Sequence, residues 1–118
     1  MDLEIKNQIE KLLTKTKDGK IDWKQINQNA IRWSTQTDGT LYIVTLQTTL
    51  TGIIVSGKQT NQYILTIQSN TGEMVLQLQS NQQTNPEYSP LLHDLFEIAT
   101  AKSKAESANI LNKILDKL

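Results

Sequence analysis

No cysteine occurs in the 118 residues of this chain. Disulfides, thiolate zinc sites and cysteine nucleophiles are excluded by that absence. There is a single histidine, His93, and the carboxylates are scattered. No spacing of metal ligands is recognisable. The five glycines are isolated, so no Gly-rich phosphate loop exists. Ser56-Gly57-Lys58 lacks the rest of a P-loop and is better read as a hairpin loop. No G-x-S-x-G elbow is present. No apolar run approaches the ~20 residues of a membrane span, and Met1 to Lys6 shows no apolar segment of a signal peptide. A cytoplasmic location is the expectation.

An excess of one charge is also missing. Twelve basic residues face twelve acidic ones, and the balance holds along the chain. Without a basic stripe, nucleic acid is not an expected partner. Without a polybasic patch, neither is an anionic membrane surface. Charge of either sign is scarce in the middle, where only Asp38, Lys58 and Glu73 fall between Ser34 and Asn85. That stretch alternates Thr, Gln, Asn and Ser with Leu, Ile, Val and Tyr. The remaining charges lie mostly on two ends of helical character.

The length suits one domain with a core of its own. Ile5, Ile9, Leu12, Leu13 and Thr16 recur at helical spacing, which predicts a short amphipathic helix. Asp2 is placed to cap its start and Gly19 to close its end. Ile21-Asp22-Trp23 is a brief extended piece, with Trp23 folding over one end of the core, and Asn27 to Asn29 a connector. Asp38-Gly39 is a two-residue hairpin signal. It sets Trp33 opposite Val44, Ile31 opposite Leu46 and Thr35 opposite Tyr42, all on one face. A slip of one residue would destroy that agreement.

A second hairpin turns at Asn70-Thr71-Gly72 and puts Tyr63, Leu65, Ile67, Met74, Leu76 and Leu78 on one face. Between the hairpins a bend or bulge is expected near Thr51-Gly52, then a strand over Ile53 to Val55, then a loop from Gly57 to Gln62. Four or five strands fit. Ser89 is the expected N-cap of a last helix, with Pro90 at its first helical position. Leu91 to Ala99 is strongly apolar, Lys102 to Ser107 weakly so, and Ile110 to Leu118 apolar again. One long helix or two both satisfy this pattern.

The predicted fold is therefore α+β: a single domain over residues 1–118, in which an antiparallel meander is packed by an N-terminal helix and a C-terminal helix or pair. His93 reads as a helix-surface residue, because a general base comes with an orienting partner and a pocket. The aromatic residues Trp33, Tyr42 and Tyr63 share the core face and do not form a base-stacking platform. The opposite sheet face carries Leu41, Ile43, Ile64 and Val75 among Thr and Gln. That face is either solvated or a contact surface. The stripe containing Ile110 and Ile114 raises the same choice, packing within the chain or against a partner helix.

Gly19-Lys20-Ile21-Asp22-Trp23, then Tyr63, Leu65 and Ile67 with Gly72, Val75 and Leu76, then Tyr88, Leu92, Leu95, Phe96 and Ala99 follow a recognisable order. In it the chain resembles a loose class of small bacterial α-β-α proteins of uncharacterised function. The resemblance implies a fold and carries over no activity or functional residue. The Gln, Asn, Lys and Ile content resembles that of AT-rich bacterial or phage genes. The functional expectation is a non-enzymatic interaction or regulatory module without a cofactor, binding a protein partner or itself as a homodimer. The alternative is a protein that binds a small ligand such as a nucleotide or signal molecule.

Overall fold

The structure, a computed structural model, describes residues 3–55, 57–81 and 83–118. The Asp2 cap expected for the first helix lies outside them. Helix α1 spans Leu3–Lys17. Ile9, Leu13 and Thr16 are buried, and Ile5 and Leu12 half-buried, so the apolar stripe faces inward as its spacing requires. Gly19 closes the helix at φ 74°. Its N–H donates to the Thr16 carbonyl at 3.1 Å, and the Lys20 N–H donates to the Lys15 carbonyl at 3.0 Å. This crossed pair satisfies carbonyls that a helix end otherwise leaves bare.

Five antiparallel strands follow in spatial order β1-β2-β3-β4-β5. They are β1 Lys24–Asn27, β2 Ala30–Thr37, β3 Thr40–Val55, β4 Lys58–Ser69 and β5 Met74–Ser80. The β2–β3 register is the expected one, with Ile31 opposite Leu46, Trp33 opposite Val44 and Thr35 opposite Tyr42. Asp38 at φ 54° and Gly39 at φ 79° take the two left-handed positions that a tight hairpin turn with the sheet's own twist requires. A single turn of 3-10 helix, Pro86–Tyr88, leads into helix α2, Ser89–Asp116.

Five features depart from expectation or resolve an open choice. The short strand β1 has no apolar alternation to mark it in the sequence. It is a polar edge strand whose turn is held by the Asn29 N–H donating to Asn27 Oδ1 at 2.7 Å. The expected loop from Gly57 to Gln62 is strand from Lys58 onward, with Val55 opposite Lys58 and Gly57 at φ 78° in the turn. Backbone pairing carries the ladder there without an apolar alternation. The bend near Thr51-Gly52 is a register irregularity between Leu50 and Ile54 within one long strand. Met74 does not join the core face. The β4–β5 register shifts at Ile67/Gln68, which sets Met74 opposite Gln68, and Met74 is 45% exposed. A bulge of this kind re-aims the side chains beyond it. Finally, Ser89 is not an N-cap. It sits at φ −57°, ψ −45°, already helical, because the 3-10 turn feeds directly into α2. Its hydroxyl bonds instead to Ser80 Oγ at 2.7 Å.

Both helices lie on one sheet face. Ile9 and Leu13 of α1 and Leu92, Leu95 and Ala99 of α2 close over Ile31, Val44, Leu46, Leu65 and Leu78. Trp23 packs beside Trp33 with ring centroids 6.2 Å apart. Burying each large side chain contributes about 1.5–3 kcal/mol, and chain entropy opposes most of the sum. Buried polar groups are placed with partners. The Thr48 hydroxyl departs from that rule, being buried with no hydrogen-bond partner. Thr48→Val keeps the shape and removes the orphaned group. Its expected effect is a neutral to stabilising change of up to about 1 kcal/mol in urea denaturation, and a clear loss of stability would contradict this.

Candidate functional site

Helix α2 carries two apolar stripes with different fates. Leu92, Leu95 and Ala99 are buried on the sheet. Beyond Thr100 the helix leaves the body, and every described side chain from Ala101 to Leu118 is exposed. The small residues near Ser103 to Ser107 do not break it, since α2 runs as one helix of 28 residues and alanine favours the helical state. Ile110, Leu111, Ile114 and Leu115 are each more than half exposed, and Leu118 is 98% exposed. At 3.6 residues per turn this second stripe lies about a quarter turn around the helix from the first. Ile110, about five turns on from Leu92, stays in line with the core face, but continuing the core contact would leave the rest of the stripe uncovered.

The sheet face opposite the helices carries the other four expected contact residues. Leu41 and Val75 are exposed, Val75 at 55%, while Ile43 and Ile64 are half-buried. The last helix does not cover them. Leu41 and Ile43 adjoin along β3, but across the strands Ile43 lies between Ser34 and Gln68, and Ile64 between Gln47 and Gln79. Polar neighbours on adjoining strands thus interrupt the apolar surface. Gln62 Oε1 accepts from Gln79 Nε2 at 2.8 Å and from Asn81 Nδ2 at 3.1 Å, an amide cluster at one edge of the sheet. The structure brings Leu41, Ile43, Ile64 and Val75 onto one face but leaves Ile110 and Ile114 apart from them, on the projecting helix.

His93 has the partner that sequence spacing could not show. Tyr63 stands opposite Ser80 in the β4–β5 ladder, and Ser80 Oγ bonds Ser89 Oγ and donates to the Asn85 carbonyl at 2.7 Å. These bonds pin the start of α2 beside β4. One helical turn past Ser89, His93 Nδ1 meets the Tyr63 hydroxyl at 2.7 Å. With the hydroxyl donating, the neutral ring carries its proton on Nε2. The pair lies in an open cleft of about 600 Å³ lined by Thr60, Asn61, Pro86, Ser89 and Asp94. A second hollow of about 180 Å³ is apolar, between Ile5, Ile9 and Leu12 of α1 and Trp33, Ile67 and Leu76 of the sheet.

Among the described residues no three His, Asp or Glu side chains are grouped to hold a metal. No described helix is long and apolar enough to cross a membrane. No family model, curated protein or solved structure matches the chain. Its small α+β architecture and its own surfaces are the ground for a functional reading.

Proposed function

We propose that the chain is a non-enzymatic interaction or regulatory module of a bacterial or phage cytoplasm, and that it associates through the projecting end of α2. The loose class of small bacterial α-β-α proteins that it resembles is consistent with this setting. One observation carries the reading: Ile110, Leu111, Ile114, Leu115 and Leu118 form a continuous exposed stripe on a helix with nothing beneath it. Such a stripe is the usual means by which an amphipathic helix engages a groove or another helix. A helix of that length is marginal in water alone, so a partner would also hold it in shape. The test compares the chain with an Ile114→Asp, Leu115→Asp variant by sizing and affinity capture. A complex formed by the wild type, lost in the variant and accompanied by unchanged sheet signal, is the expected result. A wild type that stays alone at high concentration and captures nothing would refute it.

The Tyr63–His93 cleft supports a second reading, binding of a small polar ligand. Hydroxyl, amide, imidazole and carboxylate groups converge there beside an aromatic ring. A thermal-shift screen of nucleotides and polar metabolites should then show stabilisation that Tyr63→Phe and His93→Ala both abolish. A flat screen would dispose of this reading.

A further inference from the structure

Resting on the reading of the α2 end as a contact surface, we infer that its occupant is the same segment of a second copy, running antiparallel. Three features of residues 104–118 agree on this arrangement. The first is area. The exposed aliphatic side chains offer on the order of 500 Å² per chain, so two copies facing each other bury about 1,000 Å², near the lower limit of specific interfaces. The expected dimer is accordingly of modest affinity.

The second feature is size. Bulky residues crowd the segment from Ile110 onward, Ile110, Leu111, Ile114, Leu115 and Leu118, whereas Ser107 and Ala108 lie on the same side in the turn nearest the body. A two-fold axis between residues 111 and 112 sets Leu115 of one chain against Ala108 of the other, bulky against small, twice over. A parallel pair would stack bulky on bulky and small on small, leaving the turn at Ser107 and Ala108 unfilled.

The third is charge, and it selects the same axis. Glu106 and Lys117 lie about three turns apart on one flank of the stripe. In an antiparallel pair like flanks adjoin, and this axis brings Glu106 of each copy beside Lys117 of the other. The parallel alternative has no such exchange and sets the two Lys104 ammonium groups level with each other near the seam. Opposite charges at such flanking positions choose orientation more than they add affinity.

The test uses sedimentation of the full chain from micromolar to submillimolar concentration, with cross-linking in parallel. The wild type should dimerise, and Leu115→Asp should be monomeric with the sheet part of its circular dichroism retained. Glu106→Lys or Lys117→Glu alone should weaken the dimer about five- to tenfold, and the double reversal should restore it. Because the chain has no cysteine, Ala108→Cys and Leu115→Cys report orientation without background. Mixed together they should form a disulfide that neither forms with itself. Self-cross-linking of each variant alone would overturn the antiparallel arrangement. A dimer indifferent to Leu115→Asp would overturn the choice of surface. A monomer at every concentration would overturn self-association. If that monomer still captured a protein lost on Ile114→Asp, this inference would fail while the interaction module stood.

Discussion

Leu95→Ala is expected to lower the free energy of unfolding by about 2–5 kcal/mol. Leu95 is wholly buried where α2 meets the sheet, among Leu92, Ala99, Ile31 and Leu46. Truncation removes apolar contact and leaves a cavity that rigid strands on one side and a helix on the other cannot collapse into. Leu115→Ala, the same change on the same helix, should alter stability by no more than about 0.5 kcal/mol in dilute solution. Leu115 is 54% exposed, so truncation removes little buried contact. Urea denaturation of both variants measures the difference. Equal losses would mean that the end of α2 is packed in solution and would remove the ground for treating it as a contact surface.

Thr16→Val should cost about 1–3 kcal/mol, although it removes only a hydroxyl. Trp23 Nε1 donates to Thr16 Oγ1 at 3.0 Å, and Thr16 Oγ1 donates to the Leu12 carbonyl at 2.8 Å. Both side chains are buried, so water cannot take over as acceptor when the hydroxyl is gone. The indole N–H is then stranded in the core, and the penalty is that of desolvating an unpaired donor. Thr16→Ser keeps the acceptor and should recover most of the loss. The contrast with Thr48→Val is the discriminating result. The same substitution at two buried threonines should have unequal effects, because only one of the hydroxyls is bonded.

Legibility in the sequence followed the physical origin of each feature. The Asp38-Gly39 hairpin was readable to the residue because turn chemistry and apolar alternation independently demand one register. The Gly19 closure was readable because a left-handed position strongly favours glycine. Strand β1 and the first half of β4 were not readable. Lys24 to Asn27 and Lys58 to Gln62 are held by backbone pairing, and their side chains show no period. The displacement of Met74 was hidden for a similar reason, since a bulge depends on ladder geometry that alternation cannot register. At the candidate surfaces, the stripe from Ile110 to Leu118 was visible, but its lack of cover was not. Its quarter-turn offset from Leu92 and Leu95 matters only once the helix is continuous. The His93–Tyr63 contact joins residues 30 apart in sequence through a serine bridge that no motif encodes.

The order of the strands also bears on how the chain is made. Every strand pairs with its neighbour in sequence, so each hairpin can close within microseconds of becoming available, without waiting for distant segments. Helix α1 is made first, but the rest of the cover arrives late. Leu92, Leu95 and Ala99 follow the sheet in synthesis, and at about 5–20 residues per second the face bearing Ile31, Leu46 and Leu65 stays only partly covered for on the order of seconds. During vectorial synthesis a nearly chargeless meander with one half-covered apolar side thus exposes surface of the kind that chaperones bind, and docking of α2 is the step that ends that exposure.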